Sequence, residues 1–133
     1  MEEYITLDEF RLMDEYQDFI KEYPDTGVLR VRVFTMGGVI PLSNTNILIM
    51  KKIGNYQVLF YNGKTDSVGF LGDIVLPAPK KDLSSTDIPV STNYEMSAIH
   101  LGYQDIQQYT ISIYGGITVI QYVRMIPEVK PNV

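Results

Sequence analysis

Hydrophobic and polar positions change period once along the chain, near Gly27. Before it, residues 6–23 repeat as a helix. Leu12, Met13, Tyr16, Phe19, Ile20 and Tyr23 fall within an arc of about 120° at 100° per residue, and most of the acids lie outside that stripe. Thr6 and Glu9 have the spacing of a capping box, in which the Thr hydroxyl accepts the Glu9 N–H and the carboxylate accepts the Thr6 N–H. Ile5 and Phe10 stand where a hydrophobic staple would close the same turn. Pro24 and Gly27 end the helix.

Beyond Gly27 the period is two. Leu29, Val31 and Val33 alternate with Arg30 and Arg32, the pattern of a half-buried strand over Val28 to Phe34. Further strands are expected at Ile47 to Lys51, Tyr56 to Tyr61, Leu71 to Leu76, Asn93 to Leu101, Tyr109 to Tyr114 and Ile117 to Ile126. Turn signals separate them: Gly37-Gly38, Gly54-Asn55, Asn62-Gly63, Pro77-Ala78-Pro79, a polar loop over 80–92, Gly102 and Gly115-Gly116. The expected fold is mainly β: a seven-stranded antiparallel Greek-key sandwich, transthyretin-like or Ig-like, preceded by one amphipathic helix. The expected boundaries are 1–26 for the helical segment, 27–128 for the sandwich and 129–133 for a tail.

The chain's 133 residues suffice for one domain with its own core. The net charge is −5, but residues 1–25 hold nine of the sixteen acids against Arg11 and Lys21, a net of −7. The remaining chain carries +2, with no dense basic patch, so nucleic-acid binding is not expected. The N-terminus lacks the positive and apolar regions of a secretory signal, and no apolar run approaches the length of a membrane span. A cytoplasmic or spore-associated location is expected, without membrane insertion.

The chemistry is sparse. With no cysteine, disulfides, thiolate nucleophiles and Cys-based metal sites are excluded. His100 is the one histidine; it ends a strand with no acid near it in sequence and reads as structural or exposed. The N-terminal acids spread around a helix and match no calcium loop, and Asp66 reads as a turn residue. No catalytic residue, metal or cofactor is expected. Ten tyrosines are the most suggestive feature. Tyr56, Tyr61, Tyr109, Tyr114 and Tyr122 lie in or beside strands, where they either pack across strands or form a contact surface for peptides or sugars. The helical stripe of Leu12, Met13, Tyr16, Phe19, Ile20 and Tyr23 has the same two readings, its own sandwich or another chain.

Several short motifs, taken in order, resemble a bacterial transthyretin-like, or carboxypeptidase regulatory-like, β-sandwich domain. They are Gly27-Val28-Leu29-Arg30-Val31, Ile40-Pro41-Leu42-Ser43-Asn44-Thr45-Asn46-Ile47, Thr65-Asp66 through Gly69, Tyr94-Glu95-Met96, Gly102-Tyr103 and Gly116. Leu76-Pro77-Ala78-Pro79, Ile88-Pro89 and Ile120-Gln121-Tyr122-Val123-Arg124-Met125-Ile126-Pro127 are similar to the version found in clostridial-type spore cortex-lytic proteins. The resemblance covers roughly 27–128 and implies the accessory fold, not lytic activity. A complete sandwich pattern with no catalytic constellation points to a non-enzymatic interaction or structural module whose partner is another protein or, through the helical stripe or edge-strand pairing, a second copy; the tyrosines and the lytic-protein resemblance make cell-wall glycan the alternative. A small hydrolase built on His100 ranks last.

Overall fold

The computed structural model describes residues 4–35, 39–80 and 90–129. The glycine pair 37–38, residues 81–89 of the expected polar loop and residues 130–133 of the expected tail lie outside the described residues.

Among the described residues, eight strands form two facing sheets. Ile5–Thr6 (β1) precedes two helices, Leu7–Arg11 (α1) and Asp14–Glu22 (α2). Then follow Asp25–Phe34 (β2), Asn46–Ile53 (β3), Tyr56–Lys64 (β4), Phe70–Ala78 (β5), Ser91–Ile99 (β6), Ile106–Tyr114 (β7) and Thr118–Arg124 (β8). The larger sheet runs β1-β4-β3-β6-β7 and the smaller β5-β2-β8. The sandwich and its helical preface are as the sequence indicates, and the strand count is one higher. The extra strand, β1, has two residues and pairs Ile5 with Val58, too short to leave a period.

Two pairings are parallel, β1 with β4 and β2 with β8, where the alternation suggested antiparallel pairing throughout. Period two reports which face a residue takes and carries nothing about strand direction. The second parallel pair arises at Gly115-Gly116, which is a crossover and not a hairpin. The chain leaves β7 in the large sheet and enters β8 in the small one, with the Gly116 N–H donating to Thr26 O at 2.8 Å. Asn62-Gly63, by contrast, forms no turn; β4 runs through it to Lys64. Pro77 lies inside β5, where an edge position spares its missing N–H from a ladder bond.

The expected single helix is broken. In a continuous helix Phe10 and Phe19, nine residues apart, would point to opposite sides. Both are buried, at 0% and 4% exposure, against Val58 of β4. The break at Leu12 and Met13, where Met13 is extended, turns both rings inward. It also swings Leu12 out to 89% exposure. The capping box forms as expected: Thr6 N–H to Glu9 Oε1 at 3.1 Å and Glu9 N–H to Thr6 Oγ1 at 3.2 Å.

The main core lies between the sheets. Leu29, Val31 and Val33 of β2 meet Ile47 and Ile49 of β3 and Tyr94, Met96 and Ala98 of β6. Phe60 packs against both this core and the helical cluster, edge-on to Tyr94 at 5.2 Å and tilted to Phe19 at 5.8 Å. The helices therefore lie on the same side of the large sheet as the small sheet, next to β5. Lys51 pins that junction. Its Nζ donates to Thr92 Oγ1 at 2.6 Å and Asn93 O at 2.7 Å, and lies 5.3 and 5.0 Å from the Tyr23 and Tyr94 ring centres.

Candidate interaction surface

The inward alternation of the small sheet commits its other positions to the outside. On β2 these are Val28, Arg30, Arg32 and Phe34; on β8, in register with them, Thr118, Ile120, Tyr122 and Arg124. On β5, Val75 stands opposite Val28 and Phe70 opposite Arg32. This outer face mixes apolar and cationic groups. Val75 is 59%, Ile120 48% and Tyr122 61% exposed. Phe34 stacks on Tyr122 at 6.1 Å between centroids. The Arg32 guanidinium lies 6.0 Å over the Phe70 ring, so its charge is held above an apolar plate. Arg30 Nε donates to Asp73 Oδ1 at 2.6 Å, a hydrogen bond that raises the arginine pKa and lowers that of the carboxyl. Among the described residues three arginines face one carboxylate here, a net positive charge on a chain whose sum is negative.

Along its β8 edge this face reaches the edge of the large sheet. Gln121 Nε2 donates to Tyr109 Oη at 3.3 Å across the gap between β8 and β7. Beside that bond is a cleft of about 140 Å³, lined by Met96, Ile106, Tyr109, Tyr122, Val123 and Arg124. It is large enough for one apolar side chain.

The proposed tyrosine surface is not one surface. Tyr109 and Tyr122 share the β7–β8 seam. Tyr56 is 37% exposed at the start of β4, after the Gly54-Asn55 turn. Tyr61 is half-buried against the main core, and Tyr114 is half-buried at the end of β7. Nor does the helical stripe face outward as a unit. Phe19 is buried, and Met13, Tyr16, Ile20 and Tyr23 are half-buried against the chain's own sheet, which leaves Leu12 open. The physical reason is shared. Five-residue patterns register amphipathicity but not which element lies opposite.

His100 is half-buried, with Nδ1 2.8 Å from Leu101 O and its ring edge-on to Tyr103 at 5.1 Å. Among the described residues no carboxylate pairs with it. Asp66 closes its turn as expected, Oδ1 accepting from the N–H groups of Val68 at 3.0 Å and Phe70 at 2.9 Å. Sequence reasoning missed Val75, Ile120, Phe34, Phe70, Arg32 and Arg124 as parts of one face. The alternation of β2 was visible, but only the pairing with β5 and β8 assembles the face.

No protein-family model matches the chain, and no curated protein matches it. Solved structures do. The Bacillus anthracis TIE protein is 17% identical with a TM-score of 0.51, over 77% of this chain and 17% of that one. GBS52, the minor pilin of the Gram-positive pathogen Streptococcus agalactiae, is 19% identical with a TM-score of 0.56, over 82% of this chain and 48% of that one. The chain spans less than half the length of either. At these identities the likeness is one of fold: a mainly β, sandwich-like domain.

Proposed function

We propose that this chain is a non-enzymatic interaction or structural module that engages another protein through the outer face of its three-stranded sheet. The observation that carries this reading is the outer face on which exposed Val75, Ile120 and Tyr122 lie with half-buried Phe34 and with Arg32 and Arg124 among them. Buried strand faces need such apolar groups, whereas exposed ones gain nothing from them unless something covers them. Aromatic and arginine side chains are also the types that dominate binding energy at protein interfaces. The fold likeness to a minor pilin and to the TIE protein supports a structural role in a Gram-positive bacterium. The resemblance to transthyretin-like domains of spore cortex-lytic proteins supports a place in the spore or beside the cell wall.

The test places a photoreactive phenylalanine analogue at Tyr122 and, as control, at exposed Asn62 of the full chain, in extracts of its source cells. The expected result is a protein adduct from position 122 that Ile120→Ser abolishes, with none from position 62. Absence of an adduct at 122, or equal adducts at both, overturns the reading. Co-sedimentation of the full chain with vegetative and spore-cortex peptidoglycan tests the wall association. Pelleting supports it, and a chain left in the supernatant removes it.

A further inference from the structure

We propose that the partner of this face is a second copy of the chain, seated so that Leu12 and the acidic side of α2 of each copy lie on the small sheet of the other. The inference rests on the reading of that face as a docking surface and adds its occupant.

Charge complementarity selects the occupant. Helix α2 carries Asp14, Glu15, Asp18 and Glu22 against Lys21 alone, and all four carboxylates are exposed. Asp14 to Glu22 is nine residues, about 12 Å of helix from first to last. On the sheet, Arg30, Arg32 and Arg124 lie on adjacent strands, and Arg124 is in register with Phe34, four residues beyond Arg30. That row spans about 13 Å at the rise of a strand. The two charge rows are therefore opposite in sign and similar in length, with Arg32 and Arg124 as the guanidiniums not already paired to Asp73.

The apolar parts match as well. Leu12, 89% exposed, projects from the helix break immediately before the acids. Val75, Ile120 and Tyr122 present an apolar floor beside the arginines. An apolar knob flanked by carboxylates thus has a receiving surface of apolar groups flanked by guanidiniums.

The two patches do not meet within one chain. Helices and small sheet lie on the same face of the large sheet, where Glu15, Asp18 and Glu22 border a groove with Lys51 and Lys52 and, among the described residues, form no ion pair. A two-fold axis between them places each helix over the other copy's sheet and makes the contact twice. This is an isologous closed dimer, the commonest symmetric assembly.

Sedimentation velocity of the purified full chain at low salt tests the inference. A dimer is expected that dissociates as salt is raised to about 0.5 M, because exposed charge pairs are screened. Leu12→Ser is expected to weaken dimerisation about tenfold or more, since its burial occurs twice in the dimer. Arg32→Glu with Arg124→Glu gives a monomer, and so does Asp14→Lys with Asp18→Lys. Equimolar mixing of these two variants restores the dimer, because both inter-chain contacts again pair opposite charges. A wild-type chain that stays monomeric, or a dimer that survives both charge reversals, overturns the inference. If the chain is monomeric while the photoreactive group at position 122 still labels a different protein, the second copy is ruled out and the docking face stands. If it labels nothing, both fall.

Discussion

The phenol of Tyr94 donates a 2.6 Å hydrogen bond to the carbonyl of Pro77, joining β6 of the large sheet to β5 of the small one. The Tyr94 ring is fully buried, with Phe60 on one side and the Lys51 ammonium 5.0 Å from its centre. One side chain thus links both sheets and the helical layer. The docking face lies on the outside of the sheet that Tyr94 holds in place.

Tyr94→Phe keeps the ring and removes the bond. The expected cost is about 1 kcal/mol, the usual worth of one hydrogen bond. Tyr94→Ala also leaves a cavity beside Phe60 and costs about 3–5 kcal/mol. Urea unfolding of the three proteins measures both values.

Alkaline pH acts on stability through Tyr94. Burial, with a smaller contribution from Tyr23, pushes its phenol well above the usual range. The folded state therefore holds this proton after the unfolded chain has released it. Stability from this group is complete below about pH 10 and falls by about 1.4 kcal/mol per pH unit above it. Absorbance at 295 nm is expected to show one tyrosine ionising only as the protein unfolds. Tyr94→Phe removes that phase and flattens the alkaline loss.

Lys51 acts in the opposite sense. Half-burial lowers its pKa, and Glu22 opposes the shift. The folded state releases the Lys51 proton before the unfolded chain does, so this group adds stability as pH rises from its lowered folded pKa to about 10.5. Lys51→Met is expected to remove that rise from the curve of unfolding free energy against pH, and to free the helices from β6 to faster hydrogen exchange.

The helical layer is part of the domain and not a detachable arm. Phe10→Ala or Phe19→Ala is expected to cost about 3–5 kcal/mol, as for any buried aromatic side chain. Each is expected to give a single cooperative transition at lower denaturant. A variant whose helices melt separately, leaving the sandwich midpoint unchanged, counters this.

Gly69 tests the turn that carries the resemblance motif. Its φ is +74°, and a Cβ there would stand 2.5 Å from Val33 O. Both the left-handed backbone and the contact with β2 exclude a side chain. Gly69→Ala is expected to destabilise by about 1–3 kcal/mol, more than Asp66→Ala, which removes the two accepted N–H bonds but leaves the backbone free to keep its path. Thermal unfolding gives the order.

The local signals were legible in the sequence alone. The capping box at Thr6 and Glu9, the Asp66 turn, the alternation of Leu29, Val31 and Val33 and the sandwich class each depend on residues within a few positions of one another. So do the uneven charge and the absence of cysteine chemistry. The tertiary structure decided what those local signals face. It broke the helix so that Phe10 and Phe19 could both reach Val58, which buried most of the expected stripe and released Leu12. It set β8 parallel to β2, which brought Ile120 and Tyr122 beside Arg30 and Arg32. It divided the tyrosines among the core, the seam and two strand ends. The physical reason is that periodicity reports the angle of a side chain about its own element. Burial and charge neighbourhood depend on which element packs opposite, and that pairing is fixed by contacts between residues far apart in the chain.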